Sequence, residues 1–294
     1  MFFNTDIRGK LAFSLVAKEY DAGRPSYPSI IFSDAAAAMR QRGFSSRKLR
    51  HVLEIGAGSG QATEQLLPRA KHLDVLEPGA AFAKLLRQRY RDATNMRIYE
   101  KTFESFETVL RYDLVAAASA LHWIPQEVFY RRIFTLLEPG GWFMGIWHQP
   151  TFTATVYAII ADIIVPRVPE FWIPRPTREV RALFATGYED FSRNRGFRYC
   201  RRKTYSRQRR LSAESCAALI WSYVNIDSIH AKDCRSMQQA MKQRLASASR
   251  TDLVVKDSFQ VVMGQAPKAN RPTKRCSGLA IKSGGMDNPL VASR

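Results

Sequence analysis

Short apolar runs alternate with segments of helical periodicity between residues 50 and 148. The runs are rich in Val, Ile, Leu and aromatic residues, and apolar residues at helical spacing follow most of them. Strands are predicted at 50–58, 73–78, 96–102, 112–120 and 142–148, and helices at 61–70, 80–90 and 126–137. This alternation predicts an α/β fold with a mostly parallel sheet that helices cover on both faces.

The alternation weakens after residue 150. Apolar spacing predicts helices at 156–165, 213–224 and 233–246, with Ser212 as the N-cap of the second. A basic segment at 197–212 includes a predicted strand, and 258–267 is a predicted closing strand. Residues 269–294 show little periodicity and many Pro, Gly, Ser and basic residues, so we expect a disordered basic tail there.

The formal net charge of +19 is concentrated in the second half of the chain. Residues 1–150 carry 20 Lys and Arg against 15 Asp and Glu, whereas residues 151–294 carry 25 against 11. This excess either attracts an anionic partner, such as nucleic acid, an anionic membrane or an acidic substrate, or it only keeps the surface soluble.

Cysteine spacing and hydropathy favour a soluble protein of a reducing compartment. The four cysteines form no CxxC pair and have no histidine at metal-like spacing, which argues against a zinc site and a disulfide framework. Residues 11–17 are apolar but lack a signal-peptide cleavage pattern, and the apolar run 156–165 is too short to span a bilayer. We therefore expect a cytoplasmic protein with no metal and no membrane partner. The pattern favours no particular oligomeric state.

A glycine-rich turn, EIGAGSG at 54–60, joins a predicted strand to a predicted helix. Such a turn lets backbone amides approach a ligand closely. The spacing of Gly56, Gly58 and Gly60 is one residue shorter than the dinucleotide pattern G-x-G-x-x-G, which argues against a pyrophosphate ligand. Glu77 ends the next strand, where a carboxylate can accept hydrogen bonds from ribose hydroxyls. The pattern predicts a nucleoside site, and the alternative is a tight turn without a ligand.

Five motifs follow one another over residues 50–148: VLEIGAGSGQAT, VLEPG, TFESF, YDLVAAASALHWI and LLEPGGWFMGIW. In this order they resemble the motifs of class I S-adenosylmethionine-dependent methyltransferases. The segment AKEYDAGRPSYP at 17–28 resembles the lead-in of a subgroup of methyltransferase type 11 and trans-aconitate methyltransferase-like enzymes. The resemblance implies a Rossmann-like fold with a seven-stranded sheet, S-adenosyl-L-methionine as cofactor and methyl transfer as activity. It is weaker over 150–257 and absent from the tail.

The resemblance also implies how the chain is organised. Residues 1–49 would form a helical lead-in or lid, and residues 50–150 the cofactor-binding core. Residues 151–268 would complete the same fold with acceptor-side helices and the basic segment, and residues 269–294 would be the tail.

The resemblance assigns cofactor contacts to particular residues. The methionine part would be lined by Gly56, Ala57, Gly58 and Gly60, with Glu54 near its amino group, and Glu77 would hold the ribose. Pro78 and Ala118 would belong to the same site. Thr102, Phe103 and Glu104 would flank the adenine, although Glu104 suits a solvent-facing position equally well.

Candidates for the acceptor side are few, because methyl transfer depends on alignment of the reactants more than on acid-base groups. His122 and Trp123 follow the fourth strand, where His122 is a candidate base and Trp123 a candidate π surface for the sulfonium. Tyr20, Arg24 and Tyr27 are candidates to close the pocket and to bind an acceptor carboxylate. The alternatives are a structural role for the first pair and an exposed turn for the second group.

Aromatic residues near the end of the fifth strand form a further group of candidates. Trp147 and His148, with Phe171 and Trp172 after them, either roof the acceptor or pack in the core. Asp113, at the start of the fourth strand, is expected to be a sheet-end or solvent residue.

The predicted function is methyl transfer to a small-molecule acceptor, with carboxylate O-methylation as the reaction that the resemblance implies. The basic stretch at 198–210 favours a nucleic-acid methyltransferase as the alternative, because it interleaves cations with two tyrosines and contains no acid. Against that alternative, ASALHW stands where amino-directed nucleic-acid methylases carry [DN]-P-P-[YF]. A third hypothesis is a non-catalytic cofactor-binding protein whose basic surface mediates interaction.

Overall fold

The computed structural model describes residues 17–44, 48–168, 191–192, 196–224, 231–248 and 253–268. The predicted tail at 269–294 and the candidates Phe171 and Trp172 lie outside these residues. Among the helices that are described, none combines the length and the apolar character needed to cross a bilayer.

A seven-stranded sheet forms the centre of the fold, with the strand order β3-β2-β1-β4-β5-β7-β6. Its strands are β1 Leu49–Ile55, β2 Ala70–Leu76, β3 Met96–Tyr99, β4 Tyr112–Ala118, β5 Leu137–Thr151, β6 Tyr199–Arg210 and β7 Val254–Gln265. The first five strands pair in parallel, and β7 lies antiparallel between β5 and β6. The prediction of a mostly parallel, seven-stranded Rossmann-like sheet is confirmed.

The described helices are α1 Ala17–Gly23, α2 Ser29–Gln41, α3 Thr63–Leu66, α4 Ala80–Arg89, α5 Gln126–Leu136, α6 Ala154–Ile163, α7 Ala213–Trp221 and α8 Ala231–Ala246. Helix α3 and strand β5 differ most in length from the sequence prediction. Helix α3 gives way to a 3-10 turn over Leu67–Arg69, because Pro68 cannot donate the backbone hydrogen bond that a continuing α-helix needs. Strand β5 begins at Leu137 rather than at residue 142, since Leu137 already pairs with Tyr112 of β4.

Helices cover both faces of the sheet. On one face α5 packs Phe129 and Ile133 against Phe143 of β5. On the other face α2 and α4 contribute Ile31 and Leu86 to a separate apolar cluster. Helices α6, α7 and α8 share a third cluster, which gives the second half of the chain its own buried core.

Neighbouring strands β1 and β4 mark the point at which the strand order reverses. In doubly wound α/β sheets, ligands bind in the crevice outside the carboxyl ends of the strands at such a point. The glycine loop follows β1 here, Glu77 follows β2 and the segment with His122 follows β4.

Candidate cofactor and acceptor site

The three glycines of the loop all have backbone angles that other residues rarely adopt. The φ angles of Gly56, Gly58 and Gly60 are 65°, 57° and 97°. A Cβ atom on Gly56 would lie 2.6 Å from the Cβ of Ala120, so this position also lacks room for a side chain. The loop therefore presents bare backbone at the end of β1, as the sequence predicted.

Glu77 is tied to the loop from the end of β2. Its two carboxylate oxygens each accept a hydrogen bond from a backbone amide, from Gly58 at 2.7 Å and from Gly79 at 2.8 Å. Burial raises the pKa of Glu77, and these two hydrogen bonds work in the opposite direction. Because each carboxylate oxygen has a second lone pair, Glu77 retains the capacity to accept from the two hydroxyls of a ribose.

Glu54 is a buried carboxyl group at the end of β1 with one oxygen left unpaired. Its Oε2 accepts a hydrogen bond from the Thr63 hydroxyl at 2.7 Å, while its Oε1 is buried without a hydrogen-bond partner. Burial raises the pKa of Glu54 to about 7, and the neighbouring Glu77 adds to this effect. Such an oxygen is suited to a cationic ligand group, which would satisfy it and favour its ionised form.

The other predicted cofactor residues differ from one another in how deeply they are buried. Ala57 is buried, whereas Pro78 and Ala118 are half-buried at the ends of their strands. Thr102 is half-buried and exchanges hydrogen bonds with Ser105. Phe103 is buried in the apolar core, where its ring contacts Phe129, so most of its surface is used in packing.

The N-terminal helix α1 lies over the glycine loop. A Cβ atom on Gly58 would be 3.5 Å from the Tyr20 ring, and Tyr20 also packs on Phe82 of α4 at a centroid distance of 5.2 Å. The structure therefore brings Tyr20, Arg24 and Tyr27 to the same edge of the sheet as the loop.

Arg24 is held in place by residues that follow helix α7. Its Nε donates to Ser222 Oγ at 2.9 Å, and its Nη2 donates to the Ser222 carbonyl at 3.1 Å. The guanidinium also lies 3.6 Å from the centroid of the Tyr223 ring and 4.9 Å from that of Tyr20. Arg24 is thus oriented between two aromatic rings, with one edge of its guanidinium occupied by Ser222.

Ser119 adopts a left-handed backbone at the end of β4, with a φ angle of 52°. This conformation is costly for a residue with a side chain, and such strain is concentrated at functional sites. The Ser119 hydroxyl lies 2.9 Å from the hydroxyl of Tyr27 and accepts a hydrogen bond from the His148 amide at 3.3 Å. Ser119 thereby connects the lead-in segment to the ends of β4 and β5.

His122 and Trp123 form a short 3-10 turn after β4. Both side chains are half-buried, and their ring centroids are 5.0 Å apart. Burial lowers the pKa of His122 to about 4, and the charge of Arg24 lowers it further. His122 is therefore a neutral imidazole at neutral pH, which is the form that a base requires.

Trp147 and His148 point to opposite faces of β5. Trp147 is buried in the apolar cluster that contains Phe143, so packing accounts for much of its surface. His148 turns toward the face covered by the lead-in, where it stacks on Phe259 and places Nε2 2.8 Å from Asp257 of β7. On the other side of the ring, Nδ1 lies 3.1 Å from the Tyr223 hydroxyl.

Comparison with known proteins identifies the domain to which these residues belong. A family model described as a methyltransferase domain matches residues 53–143. The malonyl-[acyl-carrier protein] O-methyltransferase 1 of Ilyobacter polytropus is 24% identical over 99 residues, which are 33% of this chain and 37% of that protein. The ornithine lipid N-methyltransferase of Singulisphaera acidiphila is 27% identical over 154 residues, 48% of this chain and 78% of that protein.

A solved structure described as a type II methyltransferase from Anaeromyxobacter dehalogenans shares the fold. It superposes with a TM-score of 0.51 at 17% identity and covers 83% of this chain and 97% of that chain. Residues 53–143 of the chain are therefore similar to a methyltransferase domain, and the fold is that of a solved methyltransferase structure. Because the chain spans less than half the length of the first of these curated relatives, the likeness identifies the domain rather than the activity of the whole protein.

The basic stretch at 198–210 forms β6, an edge strand of the sheet. Lys203 pairs with Asp34 of α2, and the Tyr205 hydroxyl donates to the same carboxylate at 2.8 Å. Arg207 and Arg209 both pair with Asp257 of β7. Three of the seven cations at 198–210 therefore pair with acidic residues on elements that neighbour β6.

Sequence reasoning missed three residues of the candidate site: Ser119, Tyr223 and Asp257. Ser119 lies within the motif YDLVAAASALHWI and adjoins the candidate Ala118, whereas no motif surrounds Tyr223 or Asp257. Asp113 lies at the start of β4 as expected, where it accepts a hydrogen bond from the Arg50 amide at 2.5 Å.

Proposed function

We propose that this protein transfers the methyl group of S-adenosylmethionine to a small-molecule acceptor. The observation that carries the proposal is the pair of buried carboxyl groups, Glu54 and Glu77, on either side of a glycine loop, with Glu54 Oε1 unpaired. A nucleoside with a cationic amino acid tail matches this arrangement. When bound, the cofactor supplies an electrophilic methyl group on a sulfonium.

Different residues bind different parts of the cofactor. Glu54 accepts from the ammonium group, Glu77 accepts from the ribose hydroxyls, and the glycine loop allows close approach of the methionine part. Pro78, Thr102, Phe103 and Ala118 border the nucleoside at the ends of β2, β3 and β4. Tyr20 covers the loop from α1 and excludes water from the reacting centre.

The acceptor side is built around Arg24, His122 and Trp123. Arg24 is pre-oriented by Ser222 and by two tyrosine rings, so it can bind a carboxylate at little cost in side-chain entropy. This supports an acceptor that carries a carboxylate, either as the methylated group or as the part by which it is held. His122 and Trp123 line the opening after β4, and Tyr27 and Trp147 border it.

A small molecule is favoured over nucleic acid because three of the six cations of β6 are paired with acidic residues within the protein. Lys203, Arg207 and Arg209 each have an acidic partner, so their release for phosphate contacts would cost these ion pairs. A titration with RNA and DNA at increasing salt tests this point. Tight binding that weakens steeply with salt would favour the nucleic-acid alternative.

Calorimetric titration with S-adenosylhomocysteine tests the cofactor site. We expect binding by the native protein and at least a tenfold loss in Glu77→Ala, because hydrogen bonds to a charged group are each worth about 1.5–3 kcal/mol. Glu107→Ala is the matched control, since Glu107 is an exposed carboxylate that is neither part of the glycine loop nor assigned to the cofactor. Unchanged affinity in Glu77→Ala would mean that the ribose is held elsewhere.

Transfer of a labelled methyl group from the cofactor to compounds of a metabolite extract tests the activity. A labelled product of low molecular mass is expected. Cofactor binding without labelling of any acceptor would favour the hypothesis of a non-catalytic binding protein.

A further inference from the structure

Tyr223 stands at the end of a buried hydrogen-bonded chain that runs from Arg209 through Asp257 and His148. The chain joins β6, β7, β5 and the turn after α7, and it reaches the acceptor side of the site beside Arg24. The direction of every hydrogen bond in it, from donor to acceptor, can be assigned from one end to the other; we call this direction the polarity of the hydrogen-bonded chain.

Asp257 fixes the polarity because it is a permanent acceptor. It is fully buried, and Arg209 donates to both of its oxygens, at 2.5 and 3.2 Å. Although burial alone would raise the pKa of Asp257, the hydrogen bonds from His148 and Arg209 hold it well below its usual range. The group is therefore a carboxylate at all ordinary pH values, with no proton to donate.

His148 donates a hydrogen bond from one ring nitrogen and accepts one at the other. Its Nε2 lies 2.8 Å from a carboxylate oxygen, so Nε2 carries the proton and donates. Burial lowers the pKa of His148 to about 4, so the ring is neutral at neutral pH and Nδ1 is an acceptor.

The Tyr223 hydroxyl is consequently obliged to donate toward His148. Its two contacts there, Nδ1 at 3.1 Å and the carbonyl oxygen at 3.4 Å, are both acceptors. Because the single hydroxyl proton is used on that side, the rest of the oxygen presents only lone pairs. One of them is close to the Arg24 guanidinium, which leaves the oxygen the capacity to accept one further hydrogen bond.

We propose that Tyr223 is a specificity residue that accepts a hydrogen bond from a hydroxyl or amino group of the methyl acceptor, while the adjacent Arg24 binds its carboxylate. The inference rests on the proposed function and narrows its acceptor to the hydroxy and amino carboxylic acids. Tyr223 is half-buried rather than fully buried, as a residue that meets a ligand should be. The buried chain behind it keeps its oxygen from donating, so it discriminates against groups that can only accept.

Two series of carboxylic acids test the proposal, each with a parent acid, a hydroxy acid and an amino acid on the same carbon skeleton. The protein is saturated with S-adenosylhomocysteine and titrated with propionate, lactate and alanine, and then with benzoate, salicylate and anthranilate. We expect the hydroxy and amino acids to bind about tenfold more tightly than the parent acids, which is the typical effect of one good hydrogen bond in a desolvated site. Equal binding of all three classes, or binding of none, overturns the proposal.

The variant Tyr223→Phe should remove this tenfold preference while leaving the affinity for the parent acids and for S-adenosylhomocysteine unchanged. Arg24→Gln should weaken all of the acids alike. An equal loss for parent, hydroxy and amino acids in Tyr223→Phe would indicate a structural role and would refute the assignment.

An NMR measurement that needs no methyl acceptor tests the proposal if Tyr223→Phe fails to fold. Two-bond ¹H–¹⁵N spectra of protein labelled at histidine, with the His148 signals assigned from His148→Gln, report the tautomer directly. A neutral ring with its proton on Nε2 at pH 7 is expected, and the opposite tautomer or an imidazolium would overturn the proposed polarity. If S-adenosylhomocysteine does not bind while this tautomer is found, the proposed function fails and the polarity of the chain stands.

Discussion

The affinity for the cofactor should depend on pH through Glu54. In the free protein the pKa of this buried carboxyl group is raised from 4.5 to about 7. Binding of the cofactor ammonium next to the unpaired Oε1 would stabilise the carboxylate and return its pKa toward the ordinary value. Since only the ionised form can make this pair, a proton must leave whenever the ligand binds to the protonated form.

The size of the effect follows from the two pKa values. If the bound value is 4.5, the apparent affinity rises roughly 20-fold between pH 5.5 and pH 7.5, because one pKa unit corresponds to about 1.4 kcal/mol. Close to one proton should be released for each ligand bound at pH 5.5. Glu54→Gln keeps the shape of the side chain and its acceptor for the Thr63 hydroxyl, but it cannot ionise.

Calorimetric titration with S-adenosylhomocysteine in two buffers of different ionisation enthalpy measures both quantities. The pH dependence should be strong in the native protein and should largely disappear in Glu54→Gln, whose affinity at pH 7.5 should approach that of the native protein at pH 5.5. Titration of the ligand's own groups is common to both proteins and cancels in the comparison. An identical pH slope for the two proteins would refute the role assigned to Glu54.

Three further predictions concern the stability of the fold. Gly56→Ala should abolish S-adenosylhomocysteine binding and lower the free energy of unfolding by roughly 1–3 kcal/mol, because the new Cβ would meet a side-chain carbon at 2.6 Å. Gly43→Ala is the control and should bind the ligand normally, because its φ is also positive, at 94°, but its new Cβ would make only an ordinary contact with Lys268 Nζ at 3.6 Å. Ser212→Ala should cost about 1 kcal/mol in urea unfolding through loss of the cap bond to the Ser215 amide, with cofactor binding unchanged. The free energy of unfolding should fall as the pH is lowered from about 6.5 to about 4. His122 and His148 have pKa values of about 4 in the folded protein, so the unfolded protein takes up protons on these two residues more readily. A urea midpoint of the native protein that does not change over this pH range would contradict the lowered pKa values.

Local patterns in the sequence were sufficient to predict the sheet and the glycine loop. The alternation of strands and helices up to residue 148 reflects burial of each element against its neighbours, and this burial is recorded in the spacing of apolar residues. The loop was equally readable, since the φ angles of Gly56, Gly58 and Gly60 are conformations that glycine alone adopts freely. Glu54 and Glu77 could be singled out because Glu54 lies just ahead of the glycines in one predicted strand and Glu77 lies near the carboxyl end of the next.

The lengths of α3 and β5 were predicted less well because their ends depend on neighbouring segments. Pro68 ends α3 earlier than the apolar spacing suggested. Pairing of Leu137 with Tyr112 extends β5 through residues 138–141, which were assigned to neither a helix nor a strand from the sequence. The basic stretch is a similar case. Its positive charge is visible in the sequence, whereas the partner of Lys203 on α2 is 169 residues away.

The sequence by itself determined the α/β fold class and the glycine loop of this protein, because apolar spacing and glycine positions are local features of successive βα units. Only the tertiary structure decided which buried polar residues are brought together beside Arg24. Tyr223 meets His148 across 75 residues, and Asp257 meets it across 109, through the insertion of β7 between β5 and β6. A pattern of apolar spacing reports whether a side chain is buried, and the order of strands in the folded sheet decides which buried polar groups become partners.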